Sequence, residues 1–268
     1  MKKRFLTLLL AVLSVFSFSV ATAPTAQAAG SKLTDSNYVA LGDSYSAGDF
    51  LPGREYTYPA LLAGGLGNVT FKAVSGHDTA SLLASLPSTP DKSVKYVTLT
   101  LGANDTSWTS ALTKCADNPD KCPAELLKLN KQIDKMTPRL PKVIAGIKKA
   151  YPKAKIYWAG YVRPFGATSV KQQCSVYNPM TNQTVEVPGS LAIAVDATLL
   201  RMNGRILGAA AVARAKGTNI VYVPADARFT GHRYCDSDPW LVLLHPDARG
   251  HVAYQKAFIS AGLPGVKP

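Results

Sequence analysis

The sequence predicts an α/β domain built as a three-layer α/β/α sandwich around a five-stranded parallel sheet. Three observations carry that expectation. Five short β-rich runs recur along the chain, most of them nearly continuous apolar stretches, the pattern of strands buried on both faces. Helix-like segments separate them, and strands alternating with helices call for a parallel sheet covered on both sides. Finally, about 240 residues follow the leader, enough for one domain with a full core.

The leader comes first. Lys2, Lys3 and Arg4 precede an uncharged apolar run from Phe5 to Val20, and Ala26–Gln27–Ala28 offers small residues at the positions a signal peptidase reads. Residues 1–28 are therefore expected to be a signal peptide, leaving 29–268 as a single secreted domain. A membrane anchor fits less well, since a spanning helix needs about 20 apolar residues and the run breaks into Thr, Pro and Gln after Val20.

Strand one is expected over Tyr38–Leu41 and a short helix over Tyr58–Leu66. Strand two follows at Val69–Val74 and strand three at Tyr96–Leu101. A long helical stretch, Glu125–Tyr151, is interrupted by Pro138 and Pro141. Strand four is Lys155–Ala159, an Ala-rich helix spans Leu191–Lys216, and strand five is Ile220–Val223. A last helix runs from Asp247 to Phe258, just after Pro246. Right-handed crossovers bring the C-terminal ends of parallel strands to one edge, where open α/β sheets bind ligands.

That edge collects the reactive residue types. Ser44, in Gly42–Asp43–Ser44, follows strand one, Gly76 follows strand two, and Asn104, in Gly102–Ala103–Asn104–Asp105, follows strand three. A serine hydroxyl attacks only when a base takes its proton. An amide side chain or a backbone N–H freed by glycine can stabilise the oxyanion that forms. Each segment alone is equally ordinary turn or N-cap chemistry. The base must come from His77, His232, His245 or His251, and His245 sits where Pro246 fixes the backbone before the last helix.

Four cysteines behind an export signal imply two disulfides. Three pairings are possible, and the short loop favours Cys115–Cys122, leaving Cys174–Cys235. Zinc is disfavoured, because no Cys-x-x-Cys occurs and no His stands at ligand spacing; no metal or cofactor is expected. The formal charge is +13, and removing the three leader bases leaves 27 basic against 17 acidic residues. No basic run is interleaved with aromatics, so nucleic acid is not an expected partner. The cluster Lys142, Lys148, Lys149, Lys153 and Lys155 fits a solvated surface or attraction to an anionic lipid surface. A nucleotide-binding relative of this architecture is disfavoured, since no Gly-x-Gly-x-x-Gly loop follows strand one.

Gly42–Asp43–Ser44–Tyr45, a lone glycine after strand two, Gly102–Ala103–Asn104–Asp105 and a C-terminal His245–Pro246 with Gly250, in this order, resemble the SGNH (GDSL-type) hydrolases. The similarity runs from about Tyr38 to Ile259. It is strongest to the extracellular actinobacterial lipases, esterases and phospholipases A of that group. The two cysteine pairs and Pro239–Trp240 match their pattern too.

The resemblance implies a flavodoxin-like fold and a secreted serine carboxylic ester hydrolase, a lipase or esterase, with phospholipase A activity as a further expectation. Ser44 would be the nucleophile, His245 the base, and the N–H groups of Ser44 and Gly76 with the Asn104 amide the oxyanion hole. Asp43 and Asp105 would support their loops. Many members carry an Asp three residues before the histidine, where this chain has Val242. A Ser–His dyad is therefore expected, its imidazole oriented by a main-chain carbonyl of Val242 or Leu243, with Asp238 the carboxylate alternative. A monomer acting on an ester or lipid is expected, with Phe50, Leu51 and Trp240 as apolar residues near the site. The rivals are a polysaccharide or acetyl-ester deacetylase of the same fold and, from another class, a non-catalytic binding module.

Overall fold

A computed structural model describes residues 33–179 and 181–268; the expected signal peptide lies outside the described residues. Five parallel strands form the central sheet: β1 (Tyr38–Ala40), β2 (Thr70–Phe71), β3 (Tyr96–Leu99), β4 (Lys155–Ala159) and, fifth in the sheet, β7 (Ile220–Val223). Their order is β2-β1-β3-β4-β7. The register sets Tyr38 against Tyr96, Val97 against Ile156, and Ile156 against Ile220. Tyr38, Val97, Ile156 and Trp158 are buried, and each large apolar side chain removed from water contributes on the order of 2 kcal/mol.

The helices are α1 (Ser44–Ala47), α2 (Tyr58–Ala63), α3 (Thr79–Ser85), α4 (Trp108–Asp117), α5 (Cys122–Met136), α6 (Leu140–Ala150), α7 (Gly189–Ala215) and α8 (Ala248–Ser260). One layer packs α3, α5 and α6 with α7 and α4, and the other packs α2 against α8. The long helical stretch divides at Pro138. α5 ends at Met136, a 3₁₀ turn spans Thr137–Arg139, and α6 restarts with Pro141 in its first turn, where a missing N–H costs no helical bond. Among the described residues no helix is long and apolar enough to cross a membrane.

Three features differ from the sequence expectation. Strand two is only Thr70–Phe71 rather than Val69–Val74, because it is the sheet edge and Lys72 and Val74 are exposed. The chain still runs alongside β1, with Lys72 N–H on the Ala40 carbonyl (2.8 Å) and Val74 N–H on that of Gly42 (3.1 Å). Helices α3 and α4 were not expected. Nor was the antiparallel hairpin of β5 (Gln173–Asn178) and β6 (Gln183–Pro188). A last two-residue bridge pairs β8 (Leu241–Val242) with β9 (His245–Pro246).

Disulfides join Cys115 to Cys122 and Cys174 to Cys235. The first ties the end of α4 to the start of α5. The second fastens the hairpin to the segment that leads into β8. The lysine cluster has a position of its own. Lys148 and Lys149 end α6, and Lys155 opens β4, so they lie at the N-terminal end of the strands. Ser44 follows the C-terminal end of β1, so Lys148, Lys149 and Lys155 stand at the opposite end of the sheet from it.

Candidate active site

The turn after β1 is built for close approach. Gly42 has φ 120°, and a Cβ there would stand 2.4 Å from Ser46 Oγ and 2.5 Å from the Thr100 carbonyl, so only glycine fits. Asp43 caps α1, its Oδ1 accepting the Tyr45 N–H at 3.1 Å. Ser44 is the first residue of α1, so its own N–H has no intrahelical acceptor.

His245 reaches this serine from the other end of the chain. Its Nε2 is 2.8 Å from Ser44 Oγ, and its Nδ1 is 3.0 Å from the Leu243 carbonyl oxygen. A carbonyl only accepts, so Nδ1 carries the proton of the neutral ring and Nε2 faces the hydroxyl as an acceptor. Burial holds the His245 pKa below the ordinary histidine value, opposed by the Leu243 bond and the charge of Asp49. The ring is therefore neutral near pH 7, the form that can take a proton from Ser44.

The loop that makes this contact is strained. Leu243 and Leu244 have φ 46° and 70°, in the left-handed region, which costs on the order of 1 kcal/mol for each side chain bearing a Cβ. Two tyrosines hold it there. Leu244 N–H donates to Tyr234 Oη at 2.9 Å, and Tyr45 Oη donates to the Leu244 carbonyl. Of the two carbonyls expected, Leu243 meets the imidazole; Val242 is paired with His245 across the β8–β9 bridge. Asp238 is occupied elsewhere, by Arg249 Nη1 at 2.7 Å and Trp240 Nε1 at 3.1 Å.

Asn104 lies on a 3₁₀ turn, Ala103–Asp105, after β3. Its Nδ2 donates to the His77 carbonyl at 3.0 Å, which fixes the amide and leaves its second N–H free to point elsewhere. Asp105 sits under this turn, accepting from Thr79 N–H (2.9 Å), Thr79 Oγ1 (2.5 Å) and Arg139 (3.2 Å). Gly76, with φ 80°, occupies the turn that His77 N–H closes onto the Val74 carbonyl. It is exposed and does not line the cavity described below; its tie to Asn104 runs through its neighbour His77.

Beneath these residues is a buried polar cluster that the sequence did not announce. Asp43 accepts from Thr100 Oγ1 at 2.7 Å on one oxygen and from the Tyr161 hydroxyl on the other. Burial raises its pKa to about 6 against those donors. The Tyr161 hydroxyl also accepts the Ala103 N–H at 3.0 Å. Tyr161 and Tyr234 belong to no motif, and Tyr161 and Tyr45 meet partners 118 and 199 positions away.

Ser44, Asn104 and His245 line one mouth of a cavity of about 560 Å³. Its walls are mostly apolar: Trp108 and Leu112 from α4, Phe165 from the segment after β4, Val176 and Val187 from the hairpin, and Leu199 from α7. Phe50 stands at the mouth, 5.1 Å from the His245 ring and with φ 65°. Leu51 and Trp240, expected nearby, do not line it; Trp240 stacks on His232 at 3.4 Å. His251 is buried on α8, its Nδ1 accepting the Tyr58 N–H at 3.1 Å.

The chain is similar to known proteins over most of its length. The GDSL-like Lipase/Acylhydrolase family model matches residues 40–253. A lipase of Streptomyces rimosus is 28% identical over 266 residues, covering 91% of this chain and 90% of that protein. The crystal structure of phospholipase A1 from Streptomyces albidoflavus NA297 superposes with a TM-score of 0.72 at 25% identity, covering 85% of this chain and 100% of that one. An extracellular lipase structure from Streptomyces rimosus shares the fold, with a TM-score of 0.67 at 24% identity over 84% of this chain and 99% of that one. With the family model spanning most of the sequence, this chain belongs to the GDSL-like lipase/acylhydrolase (SGNH) family and is a carboxylic ester hydrolase.

Proposed function

We propose that the protein is a secreted hydrolase of esters with apolar acyl chains, working through Ser44 and His245 without a carboxylate partner. The observation that carries this reading is the linear set Ser44 Oγ, His245 Nε2, His245 Nδ1 and the Leu243 carbonyl, at 2.8 and 3.0 Å. Ser44 Oγ attacks the ester carbonyl carbon as Nε2 takes its proton. The Leu243 carbonyl holds Nδ1–H and favours the imidazolium that forms. The oxyanion is met by the Asn104 amide and the N–H groups of Ser44 and Gly76, each well-placed donor being worth about 3 kcal/mol of barrier. His245 then returns the proton to the departing alcohol. Water attacks the acyl-serine by the same route, again losing its proton to Nε2.

The apolar cavity supports acyl chains longer than acetyl. The likeness to a phospholipase A1 supports phospholipid as one ester of this class. Export is supported by the leader-like N-terminus and by two disulfides. Turnover of nitrophenyl acetate, butyrate, octanoate and palmitate tests the substrate reading. A rate constant kcat/KM that climbs from acetate to octanoate supports it. Activity confined to acetate would favour the deacetylase instead.

A further inference from the structure

We propose that Tyr161 is a positioning residue that locks the Ser44 turn and the Asn104 turn into one register. This rests on the assignment of Ser44 and Asn104 above. Tyr161 comes from neither segment; it follows β4 and is buried. Its single hydroxyl donates to Asp43, the residue before Ser44, and accepts from the N–H of Ala103, the residue before Asn104. One oxygen therefore sets the distance between the attacking atom and a donor to the oxyanion.

Tyr161 is itself clamped. Its N–H donates to Asn203 Oδ1 at 2.8 Å and its carbonyl accepts from Asn203 Nδ2 at 2.7 Å. Asn203 is buried on α7, in the layer that also walls the cavity. The Tyr161 ring meets the Tyr45 ring edge-on at 5.0 Å, and Tyr45 Oη donates to the Leu244 carbonyl beside His245. The third reacting segment is thus tied to the same side chain through one further residue. Placement of reacting atoms is steeply coupled to rate, with about 1 Å costing roughly 100-fold, so a group that fixes two turns at once acts on kcat.

The carboxylate adds a second signature. The titratable groups facing Asp43 are the phenols of Tyr45, Tyr58, Tyr161 and Tyr254, all buried and all held above the ordinary phenol range. They stay neutral at working pH, so the negative charge on Asp43 is supported by donors such as the Tyr161 hydroxyl rather than by a cation. Removing that donor makes Asp43 take up its proton at higher pH.

The test is Tyr161→Phe in the intact protein, with Ser44→Ala alongside, on nitrophenyl butyrate from pH 5 to 9. The expected result is kcat down by about 10- to 100-fold, KM within about twofold, and the acid limb of kcat moved to higher pH. An unchanged kcat, a loss expressed in KM alone, or an unmoved acid limb overturns the proposal. If Tyr161→Phe melts below the assay temperature, Asn203→Ser, which frees the Tyr161 backbone but keeps the phenol, must give the same kcat-selective loss; a loss confined to KM, or none, overturns it. The two failures are separable. Turnover surviving in Ser44→Ala refutes the functional assignment itself, whereas an inert Ser44→Ala beside an unaffected Tyr161→Phe refutes only the role of Tyr161.

Discussion

The carbonyl oxygen of Leu243 lies 3.0 Å from Nδ1 of His245, occupying the position from which a carboxylate would otherwise orient the ring. The backbone reaches it only because Leu243 and Leu244 both take left-handed φ, held by Tyr234 and Tyr45. Asp238 is exposed and engaged with Arg249. Its carboxyl pKa lies below the usual range, chiefly because Arg249 donates to it.

Asp238→Asn is accordingly expected to leave kcat within about threefold of wild type, the scale of a lost exposed ion pair. Steady-state kinetics on a nitrophenyl ester check this. A fall of several hundred-fold would mean that Asp238, not the Leu243 carbonyl, orients His245.

Asn104→Ala removes the amide that both faces the cavity mouth and holds the His77 carbonyl. It is expected to lower kcat by about 100- to 1,000-fold with a smaller change in KM, as for loss of one oxyanion donor. A variant that keeps its kcat but loses KM would show that Asn104 binds ground-state substrate instead.

His251 makes acid stability a separate question from catalysis. Burial, with the nearby His245 adding to it, depresses the His251 pKa to about 3. Between that value and the ordinary 6.5 the unfolded chain binds a proton that the native state refuses. Stability from this group is therefore complete above about pH 6.5 and is lost as pH falls toward 3, by about 1.4 kcal/mol per unit at most. Asp43 runs the opposite way. Its native pKa of about 6 exceeds its ordinary 3.8, so the native state gains from it as pH falls through that window. His251→Asn keeps an acceptor for the Tyr58 N–H but cannot protonate. Urea melts from pH 3 to 7 should show stability falling less steeply with acid than in the wild type; an identical slope would contradict the assignment.

The sheet and the reacting residue types were legible because their signals are local. The runs Lys155–Ala159 and Ile220–Val223 are bounded by their own composition, and the strands observed there have the same limits. Ser44, Asn104 and His245 stand out because each sits in a short motif. Helices α3 and α4 were hidden because they are short and rich in Ser and Thr. The hairpin alternates over only Cys174–Val176 and Val185–Val187, with a polar turn between. Tyr161 reaches Asp43 across 118 positions and Tyr45 reaches Leu244 across 199, distances over which no spacing rule operates. The group that orients His245 is a backbone carbonyl, which no residue type marks. Gly76 was singled out by its place after strand two, and the neighbouring His77 carbonyl accepts from the Asn104 amide.

The central claim is that the Ser44 hydroxyl, activated by His245, is the attacking atom. The direct measurement is to treat the intact protein with a fluorophosphonate, quantify the adduct by mass, and map it by peptide sequencing, with Ser44→Ala as control. One adduct per chain on Ser44, loss of esterase activity in proportion to labelling, and neither label nor turnover in Ser44→Ala is the predicted result. Labelling at another residue, or ester turnover by Ser44→Ala equal to wild type, would contradict it.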